Sequence, residues 1–217
     1  IGGIGLLENT PVMVIGHEKG RDTDEKLKRN FGMTNPEGYR KAKRLMLLAE
    51  QFSLPVITFV DTAGAYPGIE GEERCQSEAI ARNLATMSEL KTPILVVVSG
   101  EGGSGGALAI SVGDHLSMLE YAIYSVASPE ACASIIWREA EKAPEAAKAM
   151  KVSSKDLKKI NIIDEIITEP LGGAHRDYDL MAENIKSSLI KNLSILNKLS
   201  LDDLLDRRYK RILEIGS

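Results

Sequence analysis

Five glycines within seven residues follow a short apolar run and constrain the fold more than any other part of the chain. The apolar run is residues 94–98, Ile-Leu-Val-Val-Val, and the glycine-rich stretch is residues 100–106. Glycine at this density is typical of backbone that needs positive φ angles or approaches another group closely. Small residues at helical spacing follow, so we expect a strand, a tight turn and a helix over residues 105–112. The free N–H groups at the start of such a helix favour a phosphate, a carboxylate or a developing oxyanion.

Strand-like and helix-like segments alternate along the rest of the chain. We expect strands at residues 12–15, 55–60, 94–98 and 162–168, with strand pieces within residues 116–126. We expect helices that begin near residues 36 and 129, and helices over residues 72–90, 105–112, 179–199 and 201–215. This alternation predicts helices around a largely parallel sheet, with ligand-binding groups at the C-terminal ends of the strands. Two glycine-bearing turns, residues 61–68 and 100–106, follow predicted strands.

Composition excludes several classes of protein. The chain has 217 residues, 43% of them hydrophobic, which suffices for one large α/β domain. Its net charge of −4 argues against nucleic acid as the main partner. Cys75 and Cys132 are isolated, which favours a reducing, cytoplasmic compartment, and no run of 18 apolar residues predicts a membrane span. The sequence opens on Ile1 rather than on methionine, so we expect a fragment or a processed form of a longer chain.

Two known motifs partly match the glycine-rich stretch. The phosphate-binding pattern G-x-x-x-x-G-K-[ST] lacks its lysine, and Glu101 places a negative charge where a phosphate would lie. The hydrolase pattern G-x-S-x-G is met around Ser104, and Asp164 and His175 follow in the Ser, Asp, His order of α/β-hydrolases. Any serine in a glycine-rich turn meets this pattern, so the residues favour Ser104 as a small residue or a helix cap.

A third interpretation needs no nucleophile. Gly106 and Ala107 lie at the start of the expected helix with their N–H groups free, and the turn at Gly64 and Ala65 is placed to supply a facing donor. Each well-aimed donor stabilises a developing oxyanion by roughly 3–4 kcal/mol. The competing interpretation is that the glycines only permit tight packing of the helix on the strand.

Other polar residues indicate a site less clearly. His17 lies in a polar loop, His115 is interpreted as structural, and the spacing of histidines and cysteines fits no zinc site. Seven lysines and arginines within residues 26–44 form a locally basic region. This region suits an anionic ligand or partner, and it equally suits a solvated face.

Many stretches of the chain resemble one enzyme family. The carrying motifs include DTAGAYPG at residues 61–68, GEGGSGGALAI at residues 100–110 and EPLGGAHR at residues 169–176. Shorter matches lie at residues 29–33, 36–42, 72–74, 76–81, 124–126, 128–130 and 142–144. These stretches are similar to the carboxyltransferase α subunit of multi-subunit acetyl-CoA carboxylase, and they span nearly the whole chain. The family's usual proline after Asp-Thr is Ala63 here, which is expected to loosen the turn without removing its backbone donors.

The resemblance implies a fold and a reaction. The fold is crotonase-like: stacked ββα units that form two near-perpendicular sheets, with a carboxyltransferase domain at residues 1–170 and a helical extension at residues 171–217 that packs on it or on a partner. The chain is half of an active site that a β subunit completes, in an α2β2 assembly. Carboxybiotin on a separate biotin carboxyl carrier protein loses CO₂, and its ureido oxyanion takes a proton from acetyl-CoA. The enolate attacks CO₂ to give malonyl-CoA, the first committed step of fatty acid synthesis.

The same resemblance assigns roles to individual residues. Backbone N–H groups of Gly106 and Ala107, opposite Gly64 and Ala65, are the expected oxyanion donors. A biotin pocket is expected at Tyr66, Gly103 and Gly105, and no metal is expected. Two other functions remain open from the sequence: a serine hydrolase or peptidase that uses Ser104, and a non-catalytic assembly subunit.

Overall fold

A computed structural model of the chain describes residues 1–215, which form one mixed sheet surrounded by helices. The strands are β1 (Gly2–Leu7), β2 (Thr10–Gly16), β3 (Val56–Thr62), β4 (Ile94–Gly103), β5 (His115–Leu119), β6 (Ile123–Ser125) and β7 (Glu165–Ile167). The helices are α1 (Thr23–Lys28), α2 (Pro36–Gln51), α3 (Ile69–Glu73), α4 (Gln76–Glu89), α5 (Ser104–Leu108), α6 (Pro129–Trp137), α7 (Ala143–Met150), α8 (Ser154–Lys159), α9 (Tyr178–Leu196) and α10 (Leu201–Leu213).

The sheet is largely parallel, as the sequence predicts. Its strand order is β1-β2-β3-β4-β5-β7, and only β1 and β2 pair antiparallel among the described strands. β4 is long enough for two other strands, β5 and β6, to pair with it at different places along its length. β5 pairs with Leu95 to Val98, and β6 pairs with Glu101 to Gly103. The described strands therefore form one continuous, branched sheet.

The two central strands lie in the core because they are rich in β-branched residues and covered on both faces. Most residues of β3 and the first five of β4 are buried, as expected for a central parallel strand. Helix α2 begins at Pro36 and turns Ala42, Leu45, Met46 and Ala49 inward, which confirms the predicted apolar face. Helix α9 buries Met181, Leu189, Leu193 and Leu196 of its predicted face, while Ile185 is half-buried.

Three predicted elements differ in length. The helix expected over residues 72–90 is two helices, α3 and α4, because Cys75 between them has a φ of 64° that an α-helix does not tolerate. The helix expected over residues 105–112 begins one residue earlier and ends at Leu108. The strand expected over residues 162–168 shortens to β7.

The last two helices share the core of the sheet. Leu189, Leu193 and Leu204 belong to the same buried cluster as the valines of β3 and β4. The predicted division into residues 1–170 and 171–217 stays a prediction. Among the described residues, no helix has the length and apolar character needed to cross a membrane.

One fully buried arginine fixes helix α10 to the body of the protein. The guanidinium of Arg208 uses all five of its N–H donors. Two of them go to Asp114, at 2.8 Å to Oδ1 and 2.7 Å to Oδ2. The other three go to backbone carbonyls at the end of α4 and in the following loop, at 2.8, 2.7 and 2.9 Å: Met87, Leu90 and Thr92.

Candidate functional site

The two glycine-bearing turns meet at the C-terminal ends of β3 and β4. Gly106 packs directly on the Gly64-Ala65 peptide, because a Cβ on Gly106 would overlap the Ala65 nitrogen and the Gly64 carbonyl carbon. Both turns follow neighbouring parallel strands, and parallel neighbours end at the same edge of a sheet. The structure thus brings together the two turns that the sequence singles out.

Most of the glycine-rich stretch is strand rather than turn. Residues 100–103 continue β4, and the chain turns only at Ser104. Glycine is required here by close approach: a Cβ at Gly100 would overlap the Asp61 carboxylate, one at Gly102 the Tyr124 ring, and one at Gly103 the Ala63 carbonyl. The expected turn over residues 100–106 was therefore too long, since glycines inside a strand cannot be told from turn glycines by sequence.

The start of helix α5 determines which N–H groups are free. Its first residue is Ser104, so the N–H groups of Gly105 and Gly106 have no helical acceptor. Ala107 is the fourth residue of α5, where an N–H reaches back to the N-cap carbonyl, here that of Gly103. Ala107 is also fully buried. By this geometry Gly105 and Gly106 have the free N–H groups, and the expected donor role of Gly106 and Ala107 stays a prediction.

The facing turn offers one free donor rather than two. The Gly64 N–H donates to Thr62 Oγ1 at 3.1 Å, and that hydroxyl donates to the Gly64 carbonyl at 2.7 Å. Thr62 is fully buried, so this pair of bonds fixes the turn. Among the described residues, no hydrogen bond uses the Ala65 N–H. Ala65 is the donor that remains available opposite Gly106.

An apolar cavity of about 380 Å³ opens beside the start of α5. Its wall contains Ser104, Gly105, Leu108, Tyr124, Ser125, Val126, Met150, Leu157, Ile160 and Ile162. The hydroxyl of Tyr124 is engaged at 2.8 Å by Ser111 Oγ, and burial raises the pKa of this phenol. The aromatic ring therefore serves as a neutral wall.

Of the three residues expected to form the pocket, only Gly105 lines this cavity. Gly103 is buried against Ala63. Tyr66 lies in the other turn, where its hydroxyl donates to Glu70 at 3.2 Å. Tyr124 is the aromatic side chain in the wall of this cavity, and the expected biotin-pocket role of Tyr66 and Gly103 stays a prediction. Sequence reasoning missed Tyr124 because nothing in the sequence shows that β6 pairs with the end of β4.

His17 lies closer to the site than the sequence suggests. Its Nδ1 accepts the Asp61 N–H at 3.3 Å, so this nitrogen is unprotonated. Burial lowers the pKa of His17 to about 4, although the Asp61 carboxylate opposes this shift. The neutral imidazole, with its Nδ1 engaged by Asp61, holds the end of β3 in place, and its lowered pKa makes it a weak base.

The hydrolase constellation is not assembled. Asp164 accepts hydrogen bonds from the Leu116 N–H at 2.7 Å and from Arg211 Nε at 2.9 Å. His175 lies in a 3-10 turn at Ala174–Arg176. No hydrogen bond among the described residues joins Ser104, Asp164 and His175, and Ser104 itself has a φ of 53°. The structure therefore does not support the serine hydrolase interpretation.

Sequence comparison supports the resemblance. Residues 1–216 match the family described as acetyl co-enzyme A carboxylase carboxyltransferase-like. A relative from Pseudoalteromonas atlantica, named acetyl-coenzyme A carboxylase carboxyl transferase subunit alpha, is 60% identical over 216 residues. The match covers 100% of this chain and 68% of the relative, so the chain spans about two thirds of that protein's length.

Solved structures share the fold at low sequence identity. The transcarboxylase 12S structure superposes with a TM-score of 0.77 at 18% identity, covering 92% of this chain and 37% of that one. A Pseudomonas malonate decarboxylase MdcD-MdcE hetero-dimer gives a TM-score of 0.73 at 16% identity, covering 98% of this chain and 88% of that one. These similarities confirm the crotonase-like α/β fold class.

Proposed function

This chain belongs to the acetyl co-enzyme A carboxylase carboxyltransferase-like family, and we propose that it is the α half of a two-chain carboxyltransferase. In this proposal the enzyme transfers a carboxyl group from carboxybiotin, carried on a separate protein, to acetyl-CoA, giving malonyl-CoA. One observation carries the proposal. Backbone N–H groups at the start of α5 lie beside an apolar cavity, the Gly64-Ala65 turn packs against Gly106, and no hydrogen bond among the described residues links Ser104 to Asp164 or His175.

The cavity suits the ring system of biotin. Its wall is mostly hydrocarbon, which matches the apolar part of such a ring, and the N–H of Gly105 at its edge matches a ureido oxygen. Carboxybiotin supplies the carboxyl group when bound. Tyr124, Met150 and Leu157 would hold the ring and exclude water from it. The Gly105 and Gly106 N–H groups would donate to the oxygen on which negative charge develops.

Preorganised donors explain how such a site works without a reactive side chain. The N–H groups of Gly105, Gly106 and Ala65 are fixed by helix α5, by β4 and by the Thr62 bonds, so they need no reorientation as charge develops. Ala65 and Gly106 are in contact, which places donors from both turns on one small volume. Four glycines of this stretch leave no room for a Cβ: Gly100, Gly102, Gly103 and Gly106.

A partner chain is part of the proposal because the described residues of this chain supply one such donor set. The reaction passes through two oxyanions and must also hold acetyl-CoA, so a β subunit is expected to supply the second donor set and the CoA site. The similar malonate decarboxylase structure is a hetero-dimer. An α2β2 assembly and a cytoplasmic location are further parts of the proposal. Both cysteines, Cys75 and Cys132, are free thiols, in keeping with a reducing compartment.

The split site predicts that activity depends on the partner. We expect no carboxyl transfer from the purified chain, and transfer once the β subunit is added in equal amount. The reverse reaction, carboxylation of free biotin by malonyl-CoA, measures this directly by release of acetyl-CoA. An unrelated protein at the same concentration is the control. Malonyl-CoA turnover by this chain alone would refute the split site, and no turnover with the β subunit would refute the proposed function.

We expect removal of the Ser104 hydroxyl to leave turnover within about threefold of the parent complex. Ser104 adopts a φ of 53°, so Ser104→Gly removes the hydroxyl and relieves the backbone at once. A nucleophilic serine would instead cost several orders of magnitude in kcat. Steady-state assay of the α/β complex separates the two outcomes. Ser104→Ala, which keeps a Cβ, serves as the second variant, and labelling of the parent by a fluorophosphonate probe would contradict our interpretation.

A further inference from the structure

Lys19 lies where three segments of the site converge. It follows the end of β2, and its Nζ is 3.0 Å from Asp61 Oδ1 and 2.7 Å from Glu101 Oε2. Asp61 precedes the Gly64-Ala65 turn by three residues, and Glu101 precedes Gly105 by four. A single ammonium group therefore joins the two strand ends that carry the candidate donors.

The surroundings of this ion-pair cluster are closely fitted. The Glu101 N–H donates to Asp61 Oδ1 at 3.0 Å, and the Asp61 N–H donates to His17 at 3.3 Å. Gly100 leaves no room for a Cβ beside the Asp61 carboxylate. Gly32 is similarly confined. A Cβ added to it would lie 3.0 Å from the Asp61 carbonyl oxygen and 3.2 Å from Lys19 Cγ. Asp61 is thus in contact with Glu101, His17, Gly100 and Gly32. Among the groups named here, only Lys19 carries a positive charge.

We propose that Lys19 is a positioning residue, which sets the separation of the Gly64-Ala65 turn from the Gly105-Gly106 turn by neutralising Asp61 and Glu101. This inference rests on the proposed function. Without the ammonium, two carboxylates would face each other across the junction of β3 and β4, and like charges at this distance repel. Either carboxylate can retreat only by moving the strand end that bears a donor. Displacement of such a group by about 1 Å lowers turnover by about 10²-fold.

Exposure indicates that the cluster serves geometry more than stability. The side chains of Lys19, Asp61 and Glu101 are 28%, 33% and 47% exposed. Ion pairs that reach solvent contribute only about 0–1 kcal/mol to folding. Burial alone would lower the pKa of the Lys19 ammonium, but its bonds to Glu101 and Asp61 outweigh burial and raise that pKa. The ammonium therefore stays charged throughout the neutral range.

The test compares Lys19→Met with Lys19→Arg in the α/β complex. We expect Lys19→Met to lower kcat by about 10- to 100-fold while KM for malonyl-CoA changes less than about twofold. Lys19→Arg keeps the charge and should recover kcat to within about fivefold of the parent. Lys210→Met is the matched control, because it removes an ammonium from an exposed ion pair with Asp206 on α10. Unchanged kcat in Lys19→Met, or a loss that arginine does not restore, would overturn the proposal.

A double variant separates positioning from general loss of structure. Lys19→Met/Glu101→Gln removes one of the two facing carboxylates together with the ammonium, so it should regain kcat relative to Lys19→Met. His17 is neutral at neutral pH, and the nearby Glu169 is held by the N–H groups of Tyr121 and Ala174 at 2.8 and 2.7 Å, so neither group supplies the lost positive charge. A double variant no more active than Lys19→Met would contradict the proposal.

One readout does not depend on the reaction. Amide hydrogen exchange of residues 62–68 and 101–107 should become faster in Lys19→Met and stay unchanged in Lys210→Met. An inactive parent complex with this exchange pattern would refute the proposed function alone. An active parent whose Lys19→Met variant shows neither faster exchange nor lower kcat would refute the role of Lys19 alone.

Discussion

Gly106→Ala is expected to lower carboxyl transfer by roughly 10²- to 10³-fold, the usual cost of losing one well-placed oxyanion donor. The added methyl group would overlap the Ala65 nitrogen and the Gly64 carbonyl carbon. These are backbone atoms, so one turn must shift away from the other. The displacement separates the Ala65 and Gly106 donors, which must act on the same small volume. Steady-state turnover of malonyl-CoA by the α/β complex measures the loss.

The control is Gly3→Ala on β1, where the same methyl group meets nothing within 4 Å. We expect this variant to keep parental turnover. Far-UV circular dichroism and binding of the β subunit show whether Gly106→Ala still folds and assembles. A folded, assembled Gly106→Ala complex with parental turnover would mean that the oxyanion site lies elsewhere. Ala107→Pro is a poorer test, because proline at the fourth helical position also removes the first helical hydrogen bond.

Arg208→Met is expected to lower the free energy of unfolding by about 3–5 kcal/mol, which is the typical cost of removing one partner of a buried ion pair. The Asp114 carboxylate would remain fully buried. Among the described side-chain contacts, its one remaining close donor would be the Ile94 N–H, which lies 2.7 Å from Oδ2. The carbonyls of Met87, Leu90 and Thr92 would lose their partner as well. Urea denaturation of the purified parent and variant chains measures the difference in their free energies of unfolding.

Arg82→Met is the matched control for this loss. Arg82 pairs with Glu78 on the exposed face of α4, with side chains 65% and 59% exposed, so its removal should change stability by less than about 1 kcal/mol. If Arg208→Met cost no more than Arg82→Met, helix α10 would not depend on this ion pair. Intact far-UV circular dichroism in the absence of urea identifies a variant that is folded but weakened.

The central sheet could be predicted because its residues leave little choice. Runs such as Val-Ile-Thr-Phe-Val in β3 and Ile-Leu-Val-Val-Val in β4 are mostly β-branched and mostly apolar, which is typical of strands buried on both faces. Helix α2 was predictable for a similar reason, since proline at its first position and apolar residues at helical spacing agree. Local signals and tertiary packing coincide in these elements.

Helix boundaries failed where tertiary contacts decide them. Cys75 has no intrinsic preference for positive φ, so nothing local predicts the break between α3 and α4. The start of α5 could not be predicted for the same reason, because Ser104 is also a non-glycine residue with positive φ. A shift of one residue in the helix start changes which N–H groups are free, and here Gly105 gains a free N–H. Sequence therefore located the turn, but it could not identify which N–H groups remain free.

Long-range partners were beyond the sequence altogether. His17 and Lys19 lie in a loop that looks polar and solvated, and Tyr124 lies in a short strand without a distinctive pattern. Their neighbours, Asp61 and Glu101, are 40 or more residues away from the two loop residues. Only the order of strands in the sheet brings these groups together, and strand order is not encoded by local periodicity.

The close approaches of Gly100, Gly102, Gly103 and Gly106 have a consequence for inhibitor design. A compound that bound the side chains of an enzyme could be evaded by exchanging those side chains. A compound that accepts hydrogen bonds from the main chain here would leave few such routes, because an added Cβ at any of these four positions meets a neighbouring atom. Resistance would then have to arise from the cavity wall around Tyr124 and Met150, and mutations selected by such a compound should cluster there.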